Sequence, residues 1–359
     1  MRAAVAYEPG AALVIEDLPT PQIGSRDVLV RVAASGICHT DVTSMRRTER
    51  TDPIVPGHEA CGTVEAVGAD VRRVKPGDRV LASVTPACGT CWWCVNAMSN
   101  HCERGPLRFR PRFDLPDGRR AVALCGCGSF AEAMVVDESS VVAVTTDLPD
   151  EQLALIGCGV MTGLGAAFHT AGVRPGDSVA VIGCGGVGQA VIQGARIAGA
   201  STIVAIDLAA GRRDGGLAVG ATHAIDPAGG DVVVQIRELT SGRGVDHAFE
   251  AVGVPALMVQ AFEMARAEGS VSLIGMPHAM DAVLSLPAMM LLASGKRVQG
   301  SVAGGTQILR DFPRYIRLAE TGQLNLAALV SHRITLDEVN DGIALLDQAD
   351  GVRSVITAS

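Results

Sequence analysis

Residues 178–207 read SVAVIGCGGVGQAVIQGARIAGASTIVAID, and this stretch decides the fold. A short apolar run, SVAVI, leads into Gly183-Cys184-Gly185-Gly186-Val187-Gly188, which fits G-x-G-x-x-G. QAVIQGARIAGA follows as a helix. STIVAID reads as a second strand and ends on Asp207, nineteen residues beyond Gly188. The glycine pattern alone is weak; the strand–turn–helix–strand context gives it content. Glycines allow a tight turn, close approach of a pyrophosphate and close helix–strand packing. The helix N-terminus adds unpaired N–H groups and a favourable dipole for phosphate. The Asp207 carboxylate accepts hydrogen bonds from ribose hydroxyls and repels a 2′-phosphate, which favours NAD over NADP. The competing reading is an ordinary glycine-rich strand–helix turn with an acidic strand end.

Working outward, the alternation continues from about 176 to 302. SVAVIG, STIVAID, HAIDP, VVVQIREL, DHAFEAVG and SVSLIGM are separated by helical segments, one of them starting near 255. Short strands alternating with helices predict a parallel sheet with crossover helices. Residues 151–172, EQLALIGCGVMTGLGAAFHTAG, read as helix with small residues at close contacts. Residues 1–85 differ in texture. VLVRVAASG, GTVEAVG and GDRVLASV are short apolar runs broken by Gly and Pro, and predict a β-rich region. The last stretch, from LRDFPRYIRLAETGQ to VRSVITAS, returns to helix and a final strand. There is no internal repeat and no low-complexity tract.

Between these regions lies C-G-T-C-W-W-C-V-N-A-M-S-N-H-C. Cys88, Cys91, Cys94 and Cys102 are spaced by two, two and seven residues. Four thiolates this close in sequence can wrap one tetrahedral Zn²⁺ with no open position, a structural site. The alternatives are four unrelated buried cysteines or two disulfides. Regular two-residue gaps, in a long chain that needs no covalent staples, favour zinc.

At 359 residues the chain is long enough for two cores. Its 42 glycines suit an α/β protein with many tight turns. The formal charge of -8 and pI near 5.5 argue against a nucleic-acid or anionic-membrane surface. The N-terminus alternates like a strand, without the apolar core of a secretory segment, and no apolar run approaches a membrane span. Ten cysteines without such a segment point to a reducing compartment, the cytoplasm.

A second metal site is suggested by Cys38 in S-G-I-C-H-T-D, His58 in P-G-H-E-A and Cys158 in I-G-C-G-V-M-T-G. They are scattered, so spacing proves nothing; an isolated His or Cys is more often a satisfied core residue. A cleft between domains, where Cys158 hands over to the nucleotide region, is where substrate and nicotinamide are expected to meet.

Taken together, G-I-C-H-T-D at 36–41, G-H-E at 57–59, the four-cysteine lobe, Cys158, G-C-G-G-V-G and Asp207 resemble a zinc-dependent alcohol dehydrogenase of the medium-chain dehydrogenase/reductase family. C-H-T-D, G-C-G-V-M-T-G and V-R-S-V-I place the resemblance nearest the class III and mycothiol-dependent formaldehyde dehydrogenases. The resemblance implies an α/β protein with a GroES-like, β-rich catalytic domain (1–159 and 303–359) and a doubly wound Rossmann coenzyme domain (160–302). It implies that Cys38, His58 and Cys158 hold a catalytic Zn²⁺ whose fourth position is open, with Glu59 able to approach the metal. Asp41 is then the partner of His58, and Thr40 bonds the substrate hydroxyl and starts a proton relay. His39 and Arg353 would touch the NAD pyrophosphate, Thr162 would lie near the nicotinamide, and Arg212 near the adenosine ribose. Two Zn²⁺ per chain, NAD, a small alcohol or aldehyde substrate and a homodimer or tetramer complete the expectation.

Several residues depart from the family pattern. Thr43 stands where members carry a histidine or tyrosine, so the last step of the usual relay is missing. Val84 replaces an aromatic pocket residue, and Leu124 and Cys125 stand at other pocket positions. Gly215 and Gly216 fall inside a helix, where each costs about 1 kcal/mol relative to Ala, so that helix is expected to fray. Cys61, Cys125, Cys127 and Cys184 read as small buried hydrophobes. Trp92 and Trp93 are expected to cover the zinc lobe, whose four thiolates leave His101 no role as a ligand. His169, His223, His247, His278 and His332 have no supporting constellation. Arg104, Arg108, Arg110, Arg112, Arg119 and Arg120 mark a solvated loop, or one that receives an anionic substrate or coenzyme thiol.

Three functions compete. The favoured one is a reversible alcohol dehydrogenase for primary or secondary alcohols, bulky or aromatic ones included. The second oxidises the S-hydroxymethyl adduct of a small thiol. The third is a non-catalytic zinc- and nucleotide-binding protein, which an intact Cys38–His58–Cys158 set argues against.

Overall fold

The computed structural model describes residues 1–105, 109–277, 279, 281–349 and 351–358. Arg108 and His278, singled out above, lie outside the described residues. The chain forms two units: Met1–Gly159 with Gln307–Gly322 and Leu329–Ser359, and Val160–Thr306 with Gln323–Ala328.

The first unit is built on the strand Asp27–Gly36. Val28 and Val30 are buried and Arg31 is exposed, as apolar-polar alternation dictates. It pairs antiparallel with Glu59–Val67, with Ala133–Asp137 and with Ser354–Thr357. The sheet continues through Arg79–Ala82 to Val141–Ala143 on one side and to His332–Ile334 on the other. Val28, Val30, Val64, Val80, Met134 and Val136 form its packed face. The final strand thus returns to the first region of the chain, with Val355 opposite Gly36.

The second unit is a six-stranded parallel sheet. Its spatial order is His223–Ile225, Thr202–Ile206, Ser178–Ile182, Val245–Glu250, Ala265–Leu273, Arg297–Gly300. Numbered along the chain, that is 3-2-1-4-5-6, the doubly wound order. Val179 and Val181 pack into one core, Ala180 and Ile182 into another, so the strand is apolar on both faces.

Four local expectations are corrected. VVVQIREL, which reads like another strand, is the helix Val232–Leu239. Asp231 Oδ1 accepts from the Val233 and Val234 N–H groups at 2.8 and 3.2 Å, and this cap overrides the β-branched run. The helix Ala210–Ala218 is continuous through Gly215 and Gly216. A Cβ at Gly216 would lie 2.9 Å from Ala205 Cβ, and one at Gly215 would lie 2.5 Å from Gln189 Nε2. The glycines are there for close packing, not as breaks. Residues 151–172 are not one helix: Asp150–Ala154 and Leu155–Gly157 end at Cys158, whose φ of -145° is not helical. The indoles do not cover the cysteine lobe, since Trp92 is 58% exposed. Trp92 meets Trp93 edge-on at 4.9 Å, and Trp93 lies 5.3 Å from the His101 ring.

Among the described residues no single helix is long and apolar enough to cross a membrane.

Candidate active site

The helix His39–Arg46 starts where the strand Asp27–Gly36 ends, and Cys38 is its N-cap. Asp41, at the third helical position, is fully buried. Its Oδ2 accepts from the Cys38 N–H at 2.9 Å. Its Oδ1 accepts from the Gly57 N–H at 2.8 Å and meets His58 Nδ1 at 2.9 Å. One carboxylate therefore joins the two segments that carry Cys38 and His58. Gly57, at φ +94°, must be glycine, because a Cβ there would lie 2.5 Å from the Phe130 backbone nitrogen.

Glu59 is fully buried beside His58. Its Oε1 accepts from the Gly159 N–H at 3.1 Å and from Arg353 Nη2 at 3.2 Å. Gly36 is adjacent: a Cβ there would sit 2.4 Å from Glu59 Oε2. Arg353 arrives because the strand Ser354–Thr357 pairs with Gly36, with the Ile37 N–H on the Ser354 carbonyl at 2.9 Å. Its Nη2 also reaches Cys38 Sγ at 3.5 Å. The guanidinium expected at a pyrophosphate is thus engaged with Glu59 and Cys38, and only 4% exposed. Gly36 and Gly159 stand inside the motifs G-I-C-H-T-D and I-G-C-G-V-M-T-G, but the sequence holds no sign of their approach to Glu59.

One donor atom each from Cys38, His58, Glu59 and Cys158 lies within 4.8 Å of the others. His58 Nδ1 is held by Asp41, and its other nitrogen, Nε2, is buried without a hydrogen-bond partner among the described residues. A buried imidazole lone pair left unpaired is costly unless a metal takes it. Two sulfurs, an imidazole and a carboxylate are a zinc donor set, so these residues fit the metal. The electrostatics agree. Cys158 donates to Cys38, and Arg353 and His58 add to this against burial, so the Cys38 thiol is held well below its ordinary value. Cys158, as donor and half-buried, is held above it. Burial pushes Glu59 up to about 7 against the pull of Arg353.

The cysteine lobe forms the second cluster, with Sγ atoms also within 4.8 Å of one another. Cys88 and Cys94 sulfurs are 3.9 Å apart, and Cys91 and Cys102 sulfurs 4.0 Å. Four Zn–S bonds of about 2.3 Å require S···S edges of roughly 3.8 Å in a tetrahedron. The Cys91 and Thr90 N–H groups point to Cys88 Sγ at 3.3 and 3.4 Å, and these outweigh burial to bring that thiol down to about 6. Arg73 clamps the entry to the lobe through the Ala87 and Cys88 carbonyls at 2.6 and 2.9 Å.

In the second unit three glycines of the turn have distinct tasks. Gly183 takes φ +89°. A Cβ at Gly188 would lie 1.8 Å from the Gly183 carbonyl oxygen, so the helix can approach only without a side chain. Gly185, N-cap of the helix Gly186–Ile197, has open space where its Cβ would be. An open backbone at the N-terminus of a 12-residue helix, with Gly186, Val187 and Gly188 in its first turn, fits a dinucleotide phosphate. Asp207 Oδ2 accepts from the Cys184 N–H at 2.8 Å and Oδ1 from the Ala209 N–H at 2.9 Å. Arg213 Nη1 bonds the Asp207 and Leu208 carbonyls at 2.8 Å each. Thr162 lies in the helix Gly159–Gly165, half-buried; His39 is exposed at the first position of its own helix.

Other expectations change on the described residues. Cys125 is half-buried at φ +53°, not a core hydrophobe, whereas Cys61, Cys127 and Cys184 are buried. His247 has a constellation: Nδ1 meets Ser270 Oγ at 2.7 Å in the neighbouring strand, and Nε2 meets Asp177 Oδ2 at 3.0 Å just before the strand Ser178–Ile182. Arg104, Arg112, Arg119 and Arg120 pair with Asp137, Asp27, Asp117 and Asp114, so most of that loop's cations are already neutralised.

Known proteins resemble the chain over its full length. Residues 24–150 match the family described as alcohol dehydrogenase GroES-like domain, and residues 186–321 the zinc-binding dehydrogenase family. The chain is 35% identical to an NDMA-dependent alcohol dehydrogenase of Amycolatopsis methanolica, over 100% of this chain and 99% of that one. It is 36% identical to an S-(hydroxymethyl)glutathione dehydrogenase of Escherichia coli over 99% of each. The crystal structure of benzyl alcohol dehydrogenase from Acinetobacter calcoaceticus superposes with a TM-score of 0.92 at 30% identity, covering 100% of this chain and 99% of that one. The donor clusters, the glycine turn and these likenesses over the full length converge: the chain belongs to the zinc-dependent alcohol dehydrogenases of the medium-chain dehydrogenase/reductase family.

Proposed function

We propose that this chain oxidises primary or secondary alcohols, bulky or aromatic ones included, with NAD, and reduces the matching aldehydes and ketones. The observation that carries this is the donor set of buried Cys38 and His58 with half-buried Cys158, His58 Nε2 being unpaired among the described residues. Cys38, His58 and Cys158 would hold the catalytic zinc with Glu59 in reach, and Cys88, Cys91, Cys94 and Cys102 the structural zinc. Residues 1–159 and 303–359 would be the catalytic domain and 160–302 the coenzyme domain.

Bound zinc supplies a Lewis acid for the alcohol oxygen, and NAD supplies the hydride acceptor. Asp41 fixes the His58 tautomer by accepting a hydrogen bond from Nδ1–H, which leaves the Nε2 lone pair for the metal. Thr40 Oγ1 accepts the hydroxyl proton and passes it on, because a hydroxyl both accepts and donates. Thr43 has no group that titrates near neutrality, so water completes the route. Arg353 offsets the buried charge of Glu59. Asp207 selects NAD by meeting the ribose hydroxyls. Val84 and Cys125 leave the pocket wide.

The thiol-adduct reading is favoured by relatives named S-(hydroxymethyl)glutathione dehydrogenase. The Arg–Asp pairs of the 104–120 loop weigh against it, since they leave fewer cations for an anionic thiol. Steady-state rates with ethanol, benzyl alcohol and formaldehyde, with and without glutathione, decide between them. A higher kcat/KM for benzyl alcohol supports the alcohol reading. A thiol-dependent formaldehyde rate that exceeds it moves the assignment to the adduct, and absence of turnover with all three sinks both.

A homodimer through the second unit is also proposed, with a tetramer as the larger alternative. The strand Arg297–Gly300 ends its sheet, and Val283, Met289 and Leu292 nearby in sequence are each more than 70% exposed. An edge strand beside exposed apolar side chains invites a second copy. Light scattering at micromolar concentration checks this; a monomer mass refutes it.

A further inference from the structure

Glu250 is the last residue of the strand Val245–Glu250 and sits beside Ile182, one residue before the glycine turn. Its side chain is fully buried. Oε1 accepts from two consecutive backbone donors, the Val252 N–H at 2.8 Å and the Gly253 N–H at 2.7 Å. Oε2 is also buried and has no hydrogen-bond partner among the described residues. Burial pushes this carboxyl above its ordinary range, against the pull of the Gly253 and Val252 N–H groups. One buried oxygen receives both N–H groups, so what the geometry asks of this side chain is an acceptor.

The two N–H bonds hold residues 251–253 against the glycine turn. A Cβ at Gly183 would lie 2.6 Å from Val252 Cγ2, so Val252 closes directly on the first glycine of G-x-G-x-x-G. Gly253, at φ +94°, is pressed from the other side by Gly275, whose Cβ would fall 2.0 Å from the Gly253 nitrogen. The Gly275 and Ile274 N–H groups return to the Glu250 carbonyl at 3.0 and 2.8 Å. The loop has no slack: its conformation is set by Glu250 below and by glycine contacts on both sides.

We propose that Glu250 is a positioning residue for the dinucleotide, acting through the 251–253 loop on the Gly183 turn. The proposal rests on the reading of that turn as the NAD site. In open parallel sheets ligands bind at the carboxyl ends of the strands, and this loop lies on that edge. A loop that loses its buried acceptor leaves two N–H groups unpaired and moves to hydrate them. Val252 then no longer seats Gly183.

Two variants separate acceptor from charge. Glu250→Gln keeps an oxygen for both N–H groups; Glu250→Leu keeps the volume and removes the acceptor. Calorimetric NAD affinity, NAD and alcohol KM, zinc content and amide hydrogen exchange are measured on the full chain. Glu250→Leu is expected to weaken NAD by about tenfold or more, the scale of one lost buried acceptor. It should raise the NAD KM, spare the alcohol KM and zinc content, and speed exchange at Val252 and Gly253 while the 178–182 amides stay protected. Glu250→Gln should stay within about twofold of the parent on each measure. Unchanged NAD affinity in Glu250→Leu overturns the proposal. So does a Gln variant as weak as Leu, since charge would then be the working feature. If Leu fails to fold, exchange in the Gln variant decides, and loss of Val252 and Gly253 protection there overturns it. A parent protein that binds neither NAD nor NADP instead removes the underlying reading, and this proposal with it.

Discussion

At the residue scale, Thr40 and Thr43 share a helix and a hydroxyl but not a role. Thr40 is two residues from Cys38 and is the hydroxyl proposed to take the substrate proton. Thr40→Ala should lower kcat by ~10²–10⁴-fold, the range for general acid–base help, with zinc content unchanged. Thr43→Ala should leave kcat within a small factor, since water already completes the route. Stopped-flow and steady-state rates check both, and equal damage from the two would make Thr43 an essential link. Asp207 has a double duty that its sequence position does not reveal. It is proposed to select NAD, and its carboxylate also fastens the Cys184 and Ala209 N–H groups. Asp207→Gly should therefore weaken NAD and narrow the gap to NADP together, read as kcat/KM for each. A parent enzyme that prefers NADP contradicts the assignment. The residues of the metal clusters were legible as types. The hydrogen-bond partners that orient them were less so: Asp41 was reached through resemblance, and the Gly159 N–H that donates to Glu59 through the structure alone.

Elements show where local sequence rules give way to packing. The helix Ala210–Ala218 holds Gly211, Gly215 and Gly216, and propensity alone predicts a weak helix. Gly211 has open space at its Cβ position, whereas Gly216 abuts Ala205 and Ile192. Gly211→Ala should then stabilise by up to about 1 kcal/mol. Gly216→Ala should destabilise by roughly 1 kcal/mol or more, because overpacking outweighs the gain in propensity. Urea unfolding of the two variants tests this; the same sign for both would refute it. VVVQIREL carries the reverse lesson. Its β-branched run reads as strand, yet one Asp231 cap and a place between two parallel strands make it the crossover helix.

For the whole molecule, two donor clusters of different openness predict two metal ions per chain. Elemental analysis of protein kept from chelator should give about two zinc ions; a reproducible value near one removes a site. Cys94→Ser should reduce soluble yield, since the lobe has short helices and its one bulky aromatic pair lies outward. Cys38→Ser should abolish turnover yet leave a folded chain that binds NAD. The converse pattern would exchange the structural and catalytic assignments.

The sequence by itself determined the parallel sheet, its glycine turn and the four-cysteine lobe. Each of these is encoded by near neighbours: a two-residue gap, a period, a strand followed at once by a helix. It also supplied Cys38, His58 and Cys158 as donors, though only resemblance joined them across 120 residues of chain. Tertiary structure alone decided what surrounds them. Ser354–Thr357 pairs with Gly36 and carries Arg353 to Glu59; Val252 closes on Gly183; Gly216 makes room for Ala205. Such contacts depend on which strands lie side by side and how near two backbones can come. No residue spacing records that, because it is set by pairing and packing over the whole sheet.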